Sequence, residues 1–522
     1  MVVFVTDKPM AKPMDAIELS IFSSRIAAIC DEMGVVLQRS AFSPNIKDRL
    51  DFSCAIFDAR GELCAQAAHI PVHLGSMAYA MRDLVGNTDW NARDVLILND
   101  PYLGGTHLPD ITVVSPVYAN EQLVAFVANR AHHADIGASS PGSMPLSKSL
   151  DEEGVVIPPT KLVRAGVLDE GVFQSILGNV RNASHARGDF VAQMSANQLG
   201  VKRLSEFIAK QGIASFETGL DELNDYAERL ARTALNSIPD GSYRFEDVLD
   251  DDGMGNLDIP IKVHLLVRGH DVEVDFTGTA AQVTGNINCP LSVAAAGVYY
   301  VFRCLMPEQT PACAGAFRSI RLHAPEGCLL NARRPAAVAA GNVETSTRVV
   351  DVVLGALAQA IPKKVAAASH GSMNNLAMGG THNGQHWDYY ETMGGGMGAS
   401  ATSHGLDAVQ THMTNTLNTP IESLEMHYPL RVRRYAVRES SGGDGRFRGG
   451  NGLIRELEFL DDAQVTLLTE RRRHTPWGLG NGASGQPGEN TLDEQKLPGK
   501  VTLTVKKGQR LCIKTPGGGG YG

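Results

Sequence analysis

Residues 94–135 read DVLILNDPYLGGTHLPDITVVSPVYANEQLVAFVANRAHHAD. Three apolar runs in this stretch, at 94–98, 111–118 and 122–128, have the length and β-branched content of buried strands. Ala119-Asn120-Glu121 separates the last two runs, so we expect a turn there. His and Asp residues stand beside the ends of these runs, which predicts a sheet whose strand ends carry polar side chains.

Outward from this stretch, helical and strand patterns are mixed. Asp15 and Glu18 stand in capping-box positions before a helix that we expect to reach about Ser40. Further helices are predicted at 76–84, at 189–211 with Asp189 as its cap, and at 218–237, 291–305 and 348–360. Strands are predicted at 52–57, at 62–66, within 242–277 and throughout 444–522. The fold class expected is α+β, a large multi-layer mixed α/β body with a Gly-rich, mainly β C-terminal region.

Length and composition agree with a large folded chain. With 522 residues and 43% hydrophobic content, the chain has material for about three domains. We expect an N-terminal α/β region at 1–240, a central α/β region at 241–440 and a Gly-rich β region at 441–522. The sequence contains no internal repeat.

Charge and cysteine usage exclude several classes of function. The net charge is −10 and the longest basic run is Arg471–Arg473, so nucleic acid is not an expected partner. Apolar stretches fall short of the ~20 residues that span a bilayer, and the N-terminus lacks a signal-peptide pattern. Eight cysteines with no CxxC pair argue against a disulfide framework and structural zinc. These features predict a cytoplasmic protein.

Histidine is concentrated beside the predicted strands. Five of the sixteen histidines lie within 69–133, and they are His69, His73, His107, His132 and His133. Asp100, Asp110 and Asp135 stand near the same strand ends, where side chains can converge. Imidazole and carboxylate ligands favour zinc or manganese, so we predict a divalent metal site, although each histidine singly is typical of a structural residue. Because Pro71 separates His69 from His73, we expect an extended loop there, which excludes the metalloprotease HExxH helix.

Glycine-rich segments form a second group of motifs. Residues 480–485 match GxGxxG, but Gln486-Pro487-Gly488 follows where a dinucleotide site needs a helix. No P-loop motif occurs in the sequence. We interpret Gly394–Gly396 and Gly517–Gly520 as tight turns, with close approach of the backbone to a ligand or a partner chain as the alternative.

Glu344 and His412 are candidate proton carriers. Each stands among amide and hydroxyl residues next to apolar segments, at 342–346 and 411–420. A cap or loop hydrogen bond is the alternative role for each. Cys289 is a conceivable nucleophile, but a buried structural cysteine fits its surroundings better.

Several longer strings together resemble the hydantoinase B/oxoprolinase family. They are DFSCAIFD at 51–58, HIPVHLGS at 69–76, NDPY at 99–102, GGTHLPD at 104–110, GNVETS at 341–346, QTHMTNT at 410–416, GGNG at 449–452 and PGGGGYG at 516–522. The resemblance extends from about residue 14 to the C-terminus.

The resemblance implies an enzyme that acts on carbon–nitrogen bonds in cyclic amides. The family includes ATP-dependent hydantoinases, 5-oxoprolinase, caprolactamase, and acetone and acetophenone carboxylases. It implies that a separate A-type subunit or domain binds ATP and phosphorylates the substrate oxygen, and that this B-type chain hydrolyses the activated species with metal-bound water. A hetero-oligomer is therefore expected.

The family's metal ligands are transferred by local motif to His69, Asp100, His132 and Asp135, with His73, His107 and His133 around them. The carboxylases have a carboxylate near position 69, where this chain has histidine, and this difference favours a hydrolase. A ketone carboxylase subunit and a non-catalytic scaffold subunit are the two alternatives.

Overall fold

The structure is a computed structural model that describes residues 12–67 and 70–522, with only the backbone of Leu74. In this part of the chain nine α-helices and twenty strands are formed. The helices are α1 (Ala16–Ser40), α2 (Pro44–Lys47), α3 (Pro71–Gly86), α4 (Glu170–Leu177), α5 (Ala183–Gln211), α6 (Ile213–Leu235), α7 (Leu291–Leu305), α8 (Ser346–Ala360) and α9 (Ile421–His427). None of these helices has the length and apolar content needed to cross a bilayer.

The first seven strands form one antiparallel sheet in the order β2-β1-β5-β4-β3-β6-β7. They are β1 (Phe52–Asp58), β2 (Leu63–Gln66), β3 (Val95–Leu98), β4 (Asp110–Ala119), β5 (Gln122–His132), β6 (Thr160–Arg164) and β7 (Val167–Leu168). The strands expected at 52–57, 94–98, 111–118 and 122–128 are all present. The hairpin register places Asp110, the first residue of β4, opposite His132, the last residue of β5.

Helices cover this sheet on both faces. Phe22 of α1 belongs to the same buried cluster as Ile56 of β1 and Val127 of β5. On the other face, Met81 of α3 packs in a cluster with Phe57 of β1. Because strand side chains alternate between faces, β1 is buried along its whole length.

The rest of the chain builds three smaller sheets. The second sheet has the order β11-β10-β9-β8 and packs on α8; its strands are β8 (Gly241–Asp251), β9 (Leu257–Arg268), β10 (Asp271–Asp275) and β11 (Ile320–His323). The last nine strands are β12 (Asn375–His382), β13 (Gln385–Glu391), β14 (Leu430–Arg438), β15 (Gly452–Phe459), β16 (Ala463–Leu468), β17 (Glu489–Leu492), β18 (Gln495–Leu497), β19 (Lys500–Val505) and β20 (Arg510–Lys514). They form sheets in the orders β13-β12-β16-β19 and β14-β15-β20-β17-β18. Both sheets combine strands from before and after residue 440, and the mixed α/β fold class is confirmed.

Two local predictions need correction. Helix α5 begins at Ala183 with Asn182 as its cap, so Asp189 is not the cap but a buried helical residue. The Asp189 carboxylate accepts hydrogen bonds from the backbone N–H groups of Phe42 (2.7 Å) and Ser43 (3.1 Å). His73 lies in the first turn of α3 and not on an extended loop, because Pro71 opens that helix at a position where its missing N–H costs nothing.

The glycine-rich segments of the C-terminal region pack against one another. A Cβ atom on Gly449 would lie 2.0 Å from the Gly518 carbonyl oxygen, and one on Gly517 would lie 1.9 Å from the Ser441 oxygen. Gly482 approaches Gly520 in the same way, so the GxGxxG string belongs to this packing. These glycines permit backbone-to-backbone contact within the chain, which neither turn geometry alone nor a ligand loop explains.

Candidate metal centre

The ends of strands β1, β4 and β5 bring several of the conspicuous polar residues together. Asp110 begins β4 opposite His132 at the end of β5, and the Asp51 carbonyl just before β1 accepts the backbone N–H of His132 at 3.0 Å. His107 reaches the same point from the loop before β4, and His73 reaches it from the first turn of α3.

The Asp110 carboxylate is the centre of this cluster. Its Oδ1 atom lies 3.1 Å from His107 Nε2 and 3.2 Å from His132 Nδ1, and its Oδ2 atom lies 3.2 Å from His73 Nε2. Asp51 is the second carboxylate, with Oδ1 3.9 Å from His73 Nε2. Potential ligand atoms of His107, Asp110 and His132 all lie within 4.8 Å of one another.

Neighbouring groups fix the orientation of these side chains. His107 Nδ1 lies 3.2 Å from the Ala339 carbonyl oxygen, which makes Nδ1 the donor and directs Nε2 at the cluster. Asp110 Oδ2 accepts hydrogen bonds from Thr106 Oγ1 at 2.6 Å and from Asn342 Nδ2 at 3.2 Å. A metal ligand requires this kind of support from a second layer of residues.

The protonation states of Asp110 and His132 suit a cation. Burial favours the neutral acid, but the His107 and His73 imidazoles outweigh it and hold the pKa of Asp110 well below its usual range. Burial lowers the pKa of His132, so its imidazole is neutral. Burial acts in the same direction on His107, but the Asp110 charge reverses the effect and raises the pKa of His107, so a metal ion bound there would displace a proton from this imidazole. An ionised carboxylate beside a neutral imidazole is the form that binds a divalent ion.

Several buried atoms in the cluster have unused hydrogen-bonding capacity. Among residues 12–67 and 70–522, no hydrogen-bond partner is found for His132 Nε2 or Asn342 Oδ1, and His107 Nε2 contacts only the Asp110 carboxylate. Unpaired buried polar atoms are costly and rare in folded proteins. The residues border a cavity of about 20 Å³, which is room for a water molecule or an ion. We call this cavity the metal chamber, because two imidazoles and a carboxylate fit a zinc or manganese ion.

The residues predicted as metal ligands from the sequence do not all lie in this cluster. His132 lies in the cluster, whereas His69 lies outside the described residues. Asp100 pairs with Arg334 and caps a 3₁₀ turn at Pro101–Leu103. Asp135 pairs with Arg181 at 3.2 Å and accepts two further backbone hydrogen bonds, so both carboxylates are already engaged elsewhere.

Sequence reasoning missed the importance of Asp110 and Asp51. His107, expected in the surrounding layer, is a member of the cluster, as the position of its Nε2 atom beside Asp110 shows. His133 points away from it, and its Nε2 lies 2.9 Å from Gln193 Oε1. The available signal was position: Asp110 opens β4 where β5 ends, and Asp51 directly precedes β1.

Glu344 lies behind one wall of the metal chamber. It belongs to a π-helical turn, Gly341–Thr345, that leads into α8, and it is fully buried. Its Oε1 atom accepts hydrogen bonds from the Met373 N–H (3.0 Å) and from Asn375 Nδ2 (2.7 Å). Asn375 Oδ1 accepts in turn from the Tyr390 hydroxyl at 2.7 Å. Burial first, and then the charge of Glu470, raise the pKa of Glu344 to about 7.

His412 directly precedes two residues that line the metal chamber. Its backbone adopts a left-handed conformation (φ +58°), which is uncommon outside glycine and occurs often at functional sites. Met413 and Thr414 line the chamber, while the His412 ring packs edge-on against Tyr300 at 5.7 Å between centroids. Burial lowers the pKa of His412.

A family model described as Hydantoinase B/oxoprolinase matches residues 15–522. The chain belongs to this family. The family resemblance predicted from the motifs is therefore confirmed, as is the expectation of an enzyme of this type.

Individual relatives agree with the assignment. An uncharacterized protein of Methanocaldococcus jannaschii is 41% identical over 98% of this chain and 91% of its own length. "5-oxoprolinase 1" of Arabidopsis thaliana is 40% identical over 97% of this chain, which spans only 42% of that relative. A Pseudomonas protein named as the putative B-type subunit of a D-/L-hydantoinase is 33% identical over 98% of this chain and 90% of its own length.

Two solved structures share the fold. The ATP-dependent caprolactamase from Pseudomonas jessenii has a TM-score of 0.91 and 28% identity, covering 98% of this chain and 92% of the solved chain. Acetone carboxylase has a TM-score of 0.85 at 18% identity, covering 97% and 76%, and this likeness concerns the fold alone.

Proposed function

We propose that this chain performs the hydrolytic ring opening of a cyclic amide such as a hydantoin, 5-oxoproline or a lactam, within an ATP-dependent enzyme. His107, Asp110 and His132 would hold a divalent metal ion, zinc or manganese, with Asp51 and His73 beside it. The observation that carries the proposal is the convergence of two buried imidazoles and a buried carboxylate on one small chamber. The family membership connects that chamber to cyclic-amide chemistry.

A divalent ion supplies Lewis acidity, which activates water for attack at neutral pH. The protein's own residues would prepare the chamber for this chemistry. The Ala339 carbonyl orients His107, and the pairing of Asp110 with imidazoles keeps its carboxylate ionised. Apolar side chains on the chamber wall, including Val343 and Met413, limit the access of bulk water.

Glu344 and His412 are proposed to act through other residues. Asn375 and Tyr390 stand between Glu344 and His132, so Glu344 would position the Tyr390 ring and hold a proton near neutral pH. His412 would set the conformation of Met413 and Thr414 at the chamber wall.

ATP is proposed to bind to a partner, an A-type subunit in a hetero-oligomer. Three observations support this part of the proposal. The sequence has no P-loop motif, one relative is named as a single subunit of a hydantoinase, and the chain spans about two fifths of the length of relatives named 5-oxoprolinase. The caprolactamase with the same fold is described as ATP-dependent.

Turnover by the assembled enzyme tests the proposal. The chain is combined with its A-type partner and ATP, and hydantoin, 5-oxoproline and caprolactam are assayed for ring-opened product. We expect product from at least one ring, and loss of at least about 100-fold in the His132→Ala variant, because the metal site is incomplete. Asp100→Asn is the matched control, since Asp100 lies outside the cluster and should retain most activity.

Two outcomes would overturn the hydrolase proposal. If a ketone, bicarbonate and ATP give a carboxylated product while no ring opens, the chain is a carboxylase subunit. If His132→Ala assembles and turns over at the wild-type rate, the chain serves as a scaffold.

A further inference from the structure

Glu153 is a fully buried carboxyl group outside the set of residues that line the metal chamber. It directly follows the 3₁₀ turn Leu150–Glu152, and its backbone N–H donates to the Leu150 carbonyl at 3.0 Å. Burial raises the pKa of Glu153 to about 7. Because a carboxyl group is costly to bury, the hydrogen bonds that compensate for its burial indicate its role.

One oxygen of Glu153 holds two consecutive backbone amides. Its Oε1 atom accepts hydrogen bonds from the N–H groups of Val338 and Ala339, both at 2.9 Å. The Ser147 hydroxyl donates to the same atom at 2.7 Å. A carboxyl oxygen accepts such bonds in the ionised form and, with the proton on the other oxygen, in the neutral form as well. The anchoring of these two amides therefore does not depend on the charge of Glu153.

The anchored segment carries two contacts to the metal chamber. The Ala339 carbonyl oxygen lies 3.2 Å from His107 Nδ1, which donates to it. Three residues further along the chain, Asn342 Nδ2 donates to Asp110 Oδ2 at 3.2 Å. Glu153 thus reaches two proposed metal ligands through one short length of backbone.

The backbone that follows Ala339 is held separately. The N–H groups of residues 340 and 341 donate to the Asn286 carbonyl at 2.9 and 3.0 Å. Since Glu153 binds the preceding amides, both peptide planes that meet at Ala339 are restrained, and its carbonyl has a fixed direction. Removal of the Glu153 carboxyl group would leave two amides without the acceptor they have in this structure, and buried unpaired amides favour a rearranged backbone.

We propose that Glu153 is a positioning residue for the metal chamber. By anchoring Val338 and Ala339 it directs the Ala339 carbonyl at His107 Nδ1, and so keeps His107 Nε2 turned toward the metal ion. This inference rests on the metal site of the proposed function. The effect is one of geometry, because Glu153 acts through the backbone of residues 338–339.

The zinc affinity of Glu153→Met tests this role. Methionine has a similar length but cannot accept from the two N–H groups, so the affinity of the full chain should fall at least about tenfold. Competition with a chromogenic chelator measures it. Asp189→Leu is the matched control, because the buried Asp189 carboxylate also accepts from two consecutive N–H groups, those of residues 42 and 43, which do not line the chamber. This variant should also lose stability but retain the zinc affinity within about twofold, as expected for a distant site.

Two milder substitutions separate the reach of the side chain from its charge. Glu153→Gln keeps an acceptor oxygen at the same distance from the backbone, so its zinc affinity should stay within about threefold of wild type. Glu153→Asp keeps the charge but is one methylene shorter, so its oxygen cannot reach both amides and the affinity should fall at least about fivefold. This pair decides the question if Glu153→Met does not fold.

Three results would overturn the inference while leaving the metal site in place. The first is equal zinc affinity in wild type, Glu153→Met and Glu153→Asp, since Glu153 would then support only the stability of its loop. The second is an equal loss in Glu153→Met and Asp189→Leu, which would indicate a general loosening of the fold. The third is affinity retained in Glu153→Asp and lost in Glu153→Gln, because charge would then matter and reach would not. A wild-type chain that binds neither zinc nor manganese would instead refute the proposed metal site, and this inference with it.

Discussion

The imidazole of His132 stacks on the ring of Tyr390, with centroids 4.5 Å apart and planes inclined by 11°. The Arg49 guanidinium also lies over the Tyr390 ring, at 5.0 Å from its centroid, and donates to the Tyr390 carbonyl. The Tyr390 hydroxyl is held by Asn375, which Glu344 binds. One aromatic ring therefore connects a buried carboxyl group to a proposed metal ligand.

This stacking predicts that ring shape at position 390 controls metal affinity. In Tyr390→Leu the His132 imidazole loses the aromatic ring on which it stacks. We therefore expect the zinc affinity to fall about 10- to 100-fold, the usual effect of removing a residue that orients a metal ligand. Tyr390→Phe keeps the ring and loses only the hydrogen bond to Asn375, so its affinity should stay within about threefold. Competition with a chromogenic zinc chelator measures both. Equal losses in the two variants would contradict the role of stacking.

The metal chamber also predicts which carboxylates matter for metal content. Asp110→Asn removes the charge that touches three imidazoles, so the purified variant should contain little zinc or manganese. Asp135→Asn is a matched substitution at a carboxylate paired with Arg181, and it should retain wild-type metal content. Elemental analysis after purification without chelators gives the comparison. Metal retained in Asp110→Asn and lost in Asp135→Asn would place the ion elsewhere.

The strands and most helices were predictable because their side-chain patterns are local. Helix α7, Leu291–Leu305, has the bounds that its apolar run predicts. Asp189 misled the prediction because an acidic residue near a helix start resembles a cap, although here it binds the backbone of residues 42 and 43 from within α5. The ligand cluster depends on strand register and on a helix that starts at Pro71, and neither is visible in spacing along the chain. Strings shared with the family located the region but did not distinguish Asp110 from Asp100.

The raised pKa of Glu344 predicts that the free energy of unfolding depends on pH. Its pKa rises from an ordinary 4.5 to about 7, so between these values the folded state retains a proton that the unfolded state releases. The free energy of unfolding should therefore fall as the pH rises from about 4.5 to 7, by about 3 kcal/mol for this group. Glu344→Gln keeps an acceptor for the Met373 N–H and removes the titration. Denaturant unfolding of both proteins at pH 5 and pH 8 should show a smaller decrease in the variant, and an identical decrease would refute the assignment.

The close contact between Gly449 and Gly518 predicts how much stability is lost when segments 441–450 and 517–520 are forced apart. A methyl group at this position meets the Gly518 carbonyl oxygen at 2.0 Å, and backbone on both sides leaves no flexible side chain to move away. Gly449→Ala should lower the free energy of unfolding by about 3 kcal/mol, at the upper end of the usual cost of overpacking. A Cβ atom on Gly86, the last residue of α3, would meet nothing within 4 Å, so Gly86→Ala should instead stabilise the protein by about 0.5 kcal/mol through the reduced entropy of the unfolded chain. Urea unfolding measures both variants. Similar stability of the two would show that the segments can separate without loss, and the packing of 441–450 against 517–520 would then not hold the C-terminal region together.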